Sequence, residues 1–135
     1  MTNDLKAFIA DTRKLLITGP PKTGKTTLSL ALGKDLNLFV RHGDNLTHLD
    51  WSQASNKGAE WILDPRKEII EGCNVARALR KALPDLKDNA LKVIYLASPY
   101  QELNALQRNM SQGIETIFSE LQPSLTLKGI RVMRL

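Results

Sequence analysis

The chain has 135 residues, of which 42% are hydrophobic and 24% charged, and its formal net charge is +5. That length supports one hydrophobic core but not two, so a single domain spanning 1–135 is expected; the excess of lysine and arginine favours anionic partners without forming a like-charged tail. A lone cysteine, Cys73, excludes an internal disulfide framework, and the absence of a secretory leader or an apolar run of membrane length predicts a cytoplasmic protein with no membrane partner and no obligatory protein partner.

Leu5, Phe8 and Ile9 recur at helical spacing and predict a short helix ahead of a strand at Lys14–Thr18. Directly after that strand, Gly19-Pro20-Pro21-Lys22-Thr23-Gly24-Lys25-Thr26 fits the phosphate-loop pattern G-x-x-x-x-G-K-[ST]. The four fixed positions coincide by chance at roughly one start point in 30,000, so in so short a chain the match points to function. Gly19 and Gly24 permit the backbone angles that turn N–H groups toward an anion, and the helix that follows adds its positive end. Lys25 can reach the β- and γ-phosphates, and the Thr26 hydroxyl is the expected protein ligand to Mg²⁺, with Thr27 near the α-phosphate. Residues 19–27 therefore form the expected site for a nucleoside triphosphate, ATP or GTP, with its Mg²⁺.

From Lys25 to about Asn37, Leu28, Ala31, Leu32 and Leu36 place one apolar stripe against a sheet. Leu38–Val40 begins a second strand that ends in the polar turn His42-Gly43-Asp44. A helix is expected over 51–63, closed by Asp64-Pro65, and a third short strand runs from Lys67 to Ile70 and ends at Glu71-Gly72. Val75, Ala76, Leu79, Ala82 and Leu83 describe a helix stopped by Pro84. Leu91–Ala97 is a fourth strand broken by Ser98-Pro99. A long helix is expected at about 102–121, and a fifth strand lies within 125–135, interrupted near Lys128-Gly129. Five strands alternating with helices predict an α/β fold, a parallel sheet covered on both faces. His42 and His48 have no partners at metal-ligand spacing, so any metal is expected to arrive with the nucleotide.

The phosphate loop GPPKTGKTT at 19–27 stands with HGDNL at 42–46, Asp50-Trp51-Ser52-Gln53-Ala54-Ser55, EGCNVARALRKAL at 71–83 and VIYLASP at 93–99. On these segments the chain resembles the small P-loop kinases, the superfamily of shikimate, gluconate, nucleoside-monophosphate and polynucleotide kinases. It looks most like the compact adenylate-kinase-like proteins of bacteriophage genomes. The resemblance implies a five-stranded sheet in the order 2-3-1-4-5 and transfer of the γ-phosphoryl group to a nucleotide, a nucleic-acid 5′ end or another small, anionic acceptor.

In that family an acidic residue ending the second strand faces the acceptor, which makes Asp44 the candidate catalytic base; the alternative is a helix cap or an Asx turn. His42 reads as a structural residue or substrate contact. Glu71 takes the place of the acid that holds the metal's water shell, although Glu-Gly departs from the family's usual Asp-Gly. Gly72 lets an acceptor approach the backbone, and Arg77 and Arg80, three residues apart on one helix, either bind anionic substrate or form a solvated face. The resemblance also implies a short lid at about 100–111, whose single arginine, Arg108, either stabilises the transferring phosphoryl group or faces solvent. Trp51 and Trp61 either stack on a base or pack internally. The short segment after the last strand predicts weak discrimination between ATP and GTP. The competing classes are a P-loop ATPase, for which the length leaves no helical lid domain, and a nucleotide-binding module without phosphotransfer.

Overall fold

The computed structural model describes residues 3–87 and 91–135. Strands β1 (Lys14–Thr18), β2 (Phe39–His42), β3 (Glu68–Glu71), β4 (Leu91–Tyr95) and β5 (Arg131–Arg134) form one parallel sheet in the order β2-β3-β1-β4-β5. The expected α/β class and strand order are both present. Helices α1 (Asn3–Ile9), α2 (Lys25–Leu36), α3 (Trp51–Leu63), α4 (Val75–Ala82) and α5 (Ala105–Leu127) cover its two faces.

All five residues of β1 are buried because this strand lies mid-sheet with a layer on each side. Side chains alternate across the pleat. Leu15 and Ile17 join Leu5, Phe8, Ile9 and Leu32 on the face covered by α1 and α2. Leu16 joins Ile62, Leu79, Val93 and Phe118 beneath α3, α4 and α5. In that second layer Tyr95 stacks on Phe118, with ring centroids 4.4 Å apart.

Short-range chemistry sets the helix ends. Asp50 caps α3 by accepting from the Gln53 amide at 2.7 Å. Asn104 and Gln107 form a reciprocal capping box at the start of α5. The α4 helix gives way to a 3₁₀ turn over Leu83–Asp85 that contains Pro84, close to the expected stop.

The chain departs from expectation at its carboxyl end. Instead of closing near residue 121, α5 continues through Pro123 to Leu127, and the last strand is confined to Arg131–Arg134. Leu125 explains the extension: it prolongs the buried stripe of Ile114, Ile117, Phe118 and Leu121 by one more turn. Gly129, at φ +74°, then ends the helix. The Ile130 amide donates to Leu125 O at 2.9 Å and the Gly129 amide to Thr126 O at 3.0 Å, the paired bonds of a Schellman closure.

A buried ionic cluster occupies the amino ends of the strands. Glu68 is fully buried and accepts from Arg41 Nε at 2.6 Å, while Lys14 Nζ lies 3.1 Å from its other oxygen. Lys14 also donates to the Trp61 and Asp64 carbonyls. Burial lowers the pKa of this lysine, against the opposing pull of Glu68. The Arg41 guanidinium lies 4.9 Å over the Trp61 ring, which packs against the second core layer. Trp61 is therefore a packing residue. The ligand site expected of a parallel sheet lies at the opposite, carboxyl ends of its strands.

Candidate active site

The loop between β1 and α2 is shaped by close approach. Gly19 has φ +144°, and a Cβ at this position would lie 2.1 Å from Leu96 O, so no larger residue fits between the loop and the end of β4. Gly24 adopts φ +89° and Lys22 φ +59°. The buried Lys25 Nζ donates to Pro20 O at 2.6 Å and approaches Thr23 Oγ1 at 3.3 Å, so the ammonium is folded back inside its own loop. The Tyr100 amide donates to Lys22 O at 2.8 Å and straps the segment after β4 to the outer side of the loop.

Glu71, at the end of β3, is the hub of the neighbouring contacts. Its Oε1 accepts from the Thr26 hydroxyl at 3.3 Å and shares a 2.7 Å hydrogen bond with His42 Nδ1 at the end of β2. Backbone contacts hold these strand ends in place: Thr18 Oγ1 donates to Gly72 O at 2.9 Å, and Asn74 Nδ2 to Gly43 O at 2.9 Å. Gly72 and Gly43 are pressed together here, since a Cβ on Gly72 would sit 3.2 Å from the Gly43 Cα.

Two cavities open on this assembly. The first, of about 730 Å³, is bounded by residues 21–28 of the phosphate loop and the start of α2, together with Asp44, Glu71, Cys73 and Tyr100. The second, of about 420 Å³, lies between α3 and the start of α5 and includes Leu46, Asp50, Trp51 and Met110. Asp44 and Cys73 belong to both walls. Burial pushes the Cys73 thiol pKa up, against the opposing effect of the Lys25 ammonium, so the thiol is held neutral at the junction.

The hydroxyl of Thr26 and the carboxylate of Glu71 are hard oxygen donors set side by side at the mouth of the phosphate loop, a donor pair suited to Mg²⁺. Among the described residues no group of three or more histidine, cysteine or acidic side chains could hold a metal. A cation at Thr26 and Glu71 would therefore rest on phosphate oxygens and water as well.

No protein-family model matches the chain, and no curated protein matches it in sequence. Among solved structures, shikimate kinase from Acinetobacter baumannii in complex with shikimate superimposes with a TM-score of 0.59, covering 96% of this chain and 87% of that one at 16% identity. The YorR protein from Bacillus subtilis in complex with phosphorylated GDP gives a TM-score of 0.55, covering 90% and 84% at 17% identity. The chain has the P-loop kinase fold.

Within this P-loop kinase fold, the expected site residues divide into two groups. Pro21, Lys22, Thr23, Gly24, Lys25, Thr26, Thr27, Asp44, Glu71 and Gly72 share the walls of the larger cavity. Gly19 and Pro20 lie buried beneath them, and His42 reaches the cavity through Glu71. Asp44 stands in a 3₁₀ turn over Gly43–Leu46; its backbone carbonyl accepts from the amide and hydroxyl of Thr47, and its exposed side chain caps no helix. None of the three expected arginines lines either cavity. Arg77 lies with its guanidinium 5.0 Å over the Trp51 ring, Arg80 is exposed on α4, and Arg108 donates to Leu103 O at 2.7 Å within the first turns of α5.

Sequence reasoning did not single out Tyr100, Asn74 or Asp50 for the site, whereas the methionines and Cys73 read as core or pocket lining, and Met110 and Cys73 do line a cavity. Asp50 carried a legible signal as the residue before a predicted helix. The other two are brought in by tertiary packing and leave no local pattern.

Proposed function

We propose that this chain is an ATP- and Mg²⁺-dependent kinase that transfers the γ-phosphoryl group to a nucleotide, a nucleic-acid 5′ end or another small hydroxyl or phosphate acceptor. The observation that carries this reading is the position of Asp44 on the wall between the phosphate-loop cavity and a second cavity. A phosphotransferase needs two adjoining sites with a group at their junction that can orient the acceptor; a plain nucleotide binder needs only one. Shikimate kinase, of similar fold, was solved with shikimate, and YorR with phosphorylated GDP; both fit a donor-and-acceptor reading.

In this reading the loop amides and the N-terminus of α2 hold the triphosphate, and Lys25 leaves Pro20 O to contact its outer phosphates. A bound Mg²⁺ would be held by Thr26 and, through water, by Glu71, and would offset the negative charge of the triphosphate. His42 fixes the Glu71 carboxylate in place. Asp44 accepts the proton of an acceptor hydroxyl as its oxygen bonds to the γ-phosphorus. The bond from that phosphorus to the bridging oxygen then breaks, and ADP leaves with the electron pair. Residues 100–111 act as a short lid, with Arg108 exchanging Leu103 O for a phosphoryl oxygen. The chain would work as one domain in the cell interior, where ATP is abundant and a lone cysteine stays reduced.

The test is a labelled-ATP assay across nucleosides, nucleotides and 5′-hydroxyl oligonucleotides. Label transferred to an acceptor supports the kinase reading. ADP release that ignores acceptors would identify an ATPase, and binding without release a nucleotide-binding module.

A further inference from the structure

The smaller cavity has a chemistry that narrows the acceptor. Its charged walls are Asp44 and Asp50, and its apolar walls include Leu46, Leu49, Trp51 and Met110. Among the described residues, no lysine or arginine lines it. On the kinase reading above, we propose that this cavity takes an uncharged nucleoside, with a sugar hydroxyl at Asp44 and the base against Trp51.

An acceptor carrying a phosphate or carboxylate would have to leave water beside two like-charged carboxylates with no cation in the wall, an arrangement that rejects anions. The nearby cations lie outside its walls. Arg77 lies over Trp51, Lys81 donates to Asn56 Oδ1 at 2.8 Å and to Ser52 O at 3.3 Å, and Arg108 donates to Leu103 O. Asp50 uses one oxygen to cap α3. Its other oxygen has no hydrogen bond among the described residues, which suits the N–H and O–H donors of a base or sugar.

Trp51 supplies the aromatic half of the argument. It is 60% exposed although it begins a well-formed helix, and Arg77 covers only one face of its ring. A large exposed indole at a cavity mouth offers its free face to a flat partner, and every nucleobase provides one. The volume, about 420 Å³, lies in the usual range of roughly 300–1,000 Å³ for small-molecule sites. With the sugar toward Asp44, the reacting hydroxyl faces the phosphate-loop cavity across the shared wall. There it loses its proton to Asp44, bonds to the γ-phosphorus and displaces ADP.

The experiment is calorimetric titration of the protein, saturated with a non-hydrolysable ATP analogue, with each common nucleoside, its 5′-monophosphate and shikimate, run beside the labelled-ATP assay. At least one nucleoside is expected to bind about tenfold more tightly than its monophosphate. Trp51→Ala should weaken that binding by about tenfold, as expected for loss of one base stack. Trp51→Phe should restore it, and the affinity for the ATP analogue should stay unchanged in both variants. Equal or tighter binding of the monophosphate or of shikimate, no nucleoside binding, or nucleoside binding indifferent to Trp51→Ala would each overturn the assignment. Nucleoside binding without transfer of label would sink the kinase reading but keep the ligand class. Transfer to monophosphates alone would do the reverse.

Discussion

His42 Nδ1 lies 2.7 Å from Glu71 Oε1, the same oxygen that accepts the Thr26 hydroxyl. Glu71 is 2% exposed, so its position is fixed by these two partners rather than by water. If it orients the coordination shell of Mg²⁺, Glu71→Gln should reduce metal-dependent transfer by about 10- to 100-fold, the usual cost of losing an outer-shell partner. Nucleotide binding in EDTA should change little. Transfer rates measured against Mg²⁺ concentration separate the two effects.

Lys25 is buried and held by Pro20 O without a ligand. A charge-assisted hydrogen bond contributes about 1.5–3 kcal/mol, so Lys25→Ala should weaken ATP binding by about 10- to 100-fold. Calorimetry gives this directly, and unchanged affinity would remove the phosphate-loop assignment.

Asp44 tests the transfer step separately from binding. General-base assistance contributes about 10²- to 10⁴-fold. Asp44→Asn, similar in size but not basic, should cost that factor in transfer to a hydroxyl acceptor and leave ATP affinity intact. Strong activity in the variant would rule out Asp44 as the base.

Cys73 gives a pH-dependent reporter at the junction of the cavities. Its folded-state pKa is raised, chiefly by burial, so the reactive thiolate is scarcer in the folded chain than in the unfolded one. Alkylation by iodoacetamide at mildly alkaline pH should be slower in buffer than in urea, and the difference should shrink as pH rises through the folded-state pKa. Lys25→Ala removes an opposing charge and should slow it further. Bound ATP, filling the cavity that Cys73 lines, should protect the thiol; mass spectrometry of the labelled chain reads every case.

Glu68 provides a test of stability away from the site. Fully buried, it faces both Lys14 and Arg41, and Glu68→Ala would remove the ion pair of Lys14 and leave Arg41 with only its longer, 3.5 Å contact to Asp64. Breaking a buried pair in this way costs about 3–5 kcal/mol. Urea unfolding should register that loss. If the variant folds, its affinity for ATP should be close to that of the parent.

The strand Lys14–Thr18, the phosphate loop and the helix Trp51–Leu63 were legible in the sequence because their signals are local: an apolar run, glycines at fixed intervals, and helical periodicity closed by Asp64-Pro65. The end of α5 was not, because Pro123 and the polar residues around it mask the continuation of the stripe to Leu125. The buried Glu68 was also hidden, since a charged residue beginning a strand reads as solvent-facing until Lys14 and Arg41 are brought to it by strand pairing. Within the candidate site, residues next to glycine motifs could be named in advance. Side chains that tertiary packing brings to a wall, Tyr100 and Asn74 among them, could not.

The four residues of β3 begin and end on buried glutamates, Glu68 and Glu71. Each depends on a neighbouring strand or on α2: Glu68 on Lys14 and Arg41, Glu71 on His42 and Thr26. A slip of one residue in the pairing of β3 would turn its side chains to the opposite faces and strand both carboxylates in the interior without partners. The two glutamates thus act as a register lock at both ends of a very short strand. Their penalty for mispairing screens out wrong alignments during folding, and the pairing that survives is the one that sets Glu71 beside the phosphate loop.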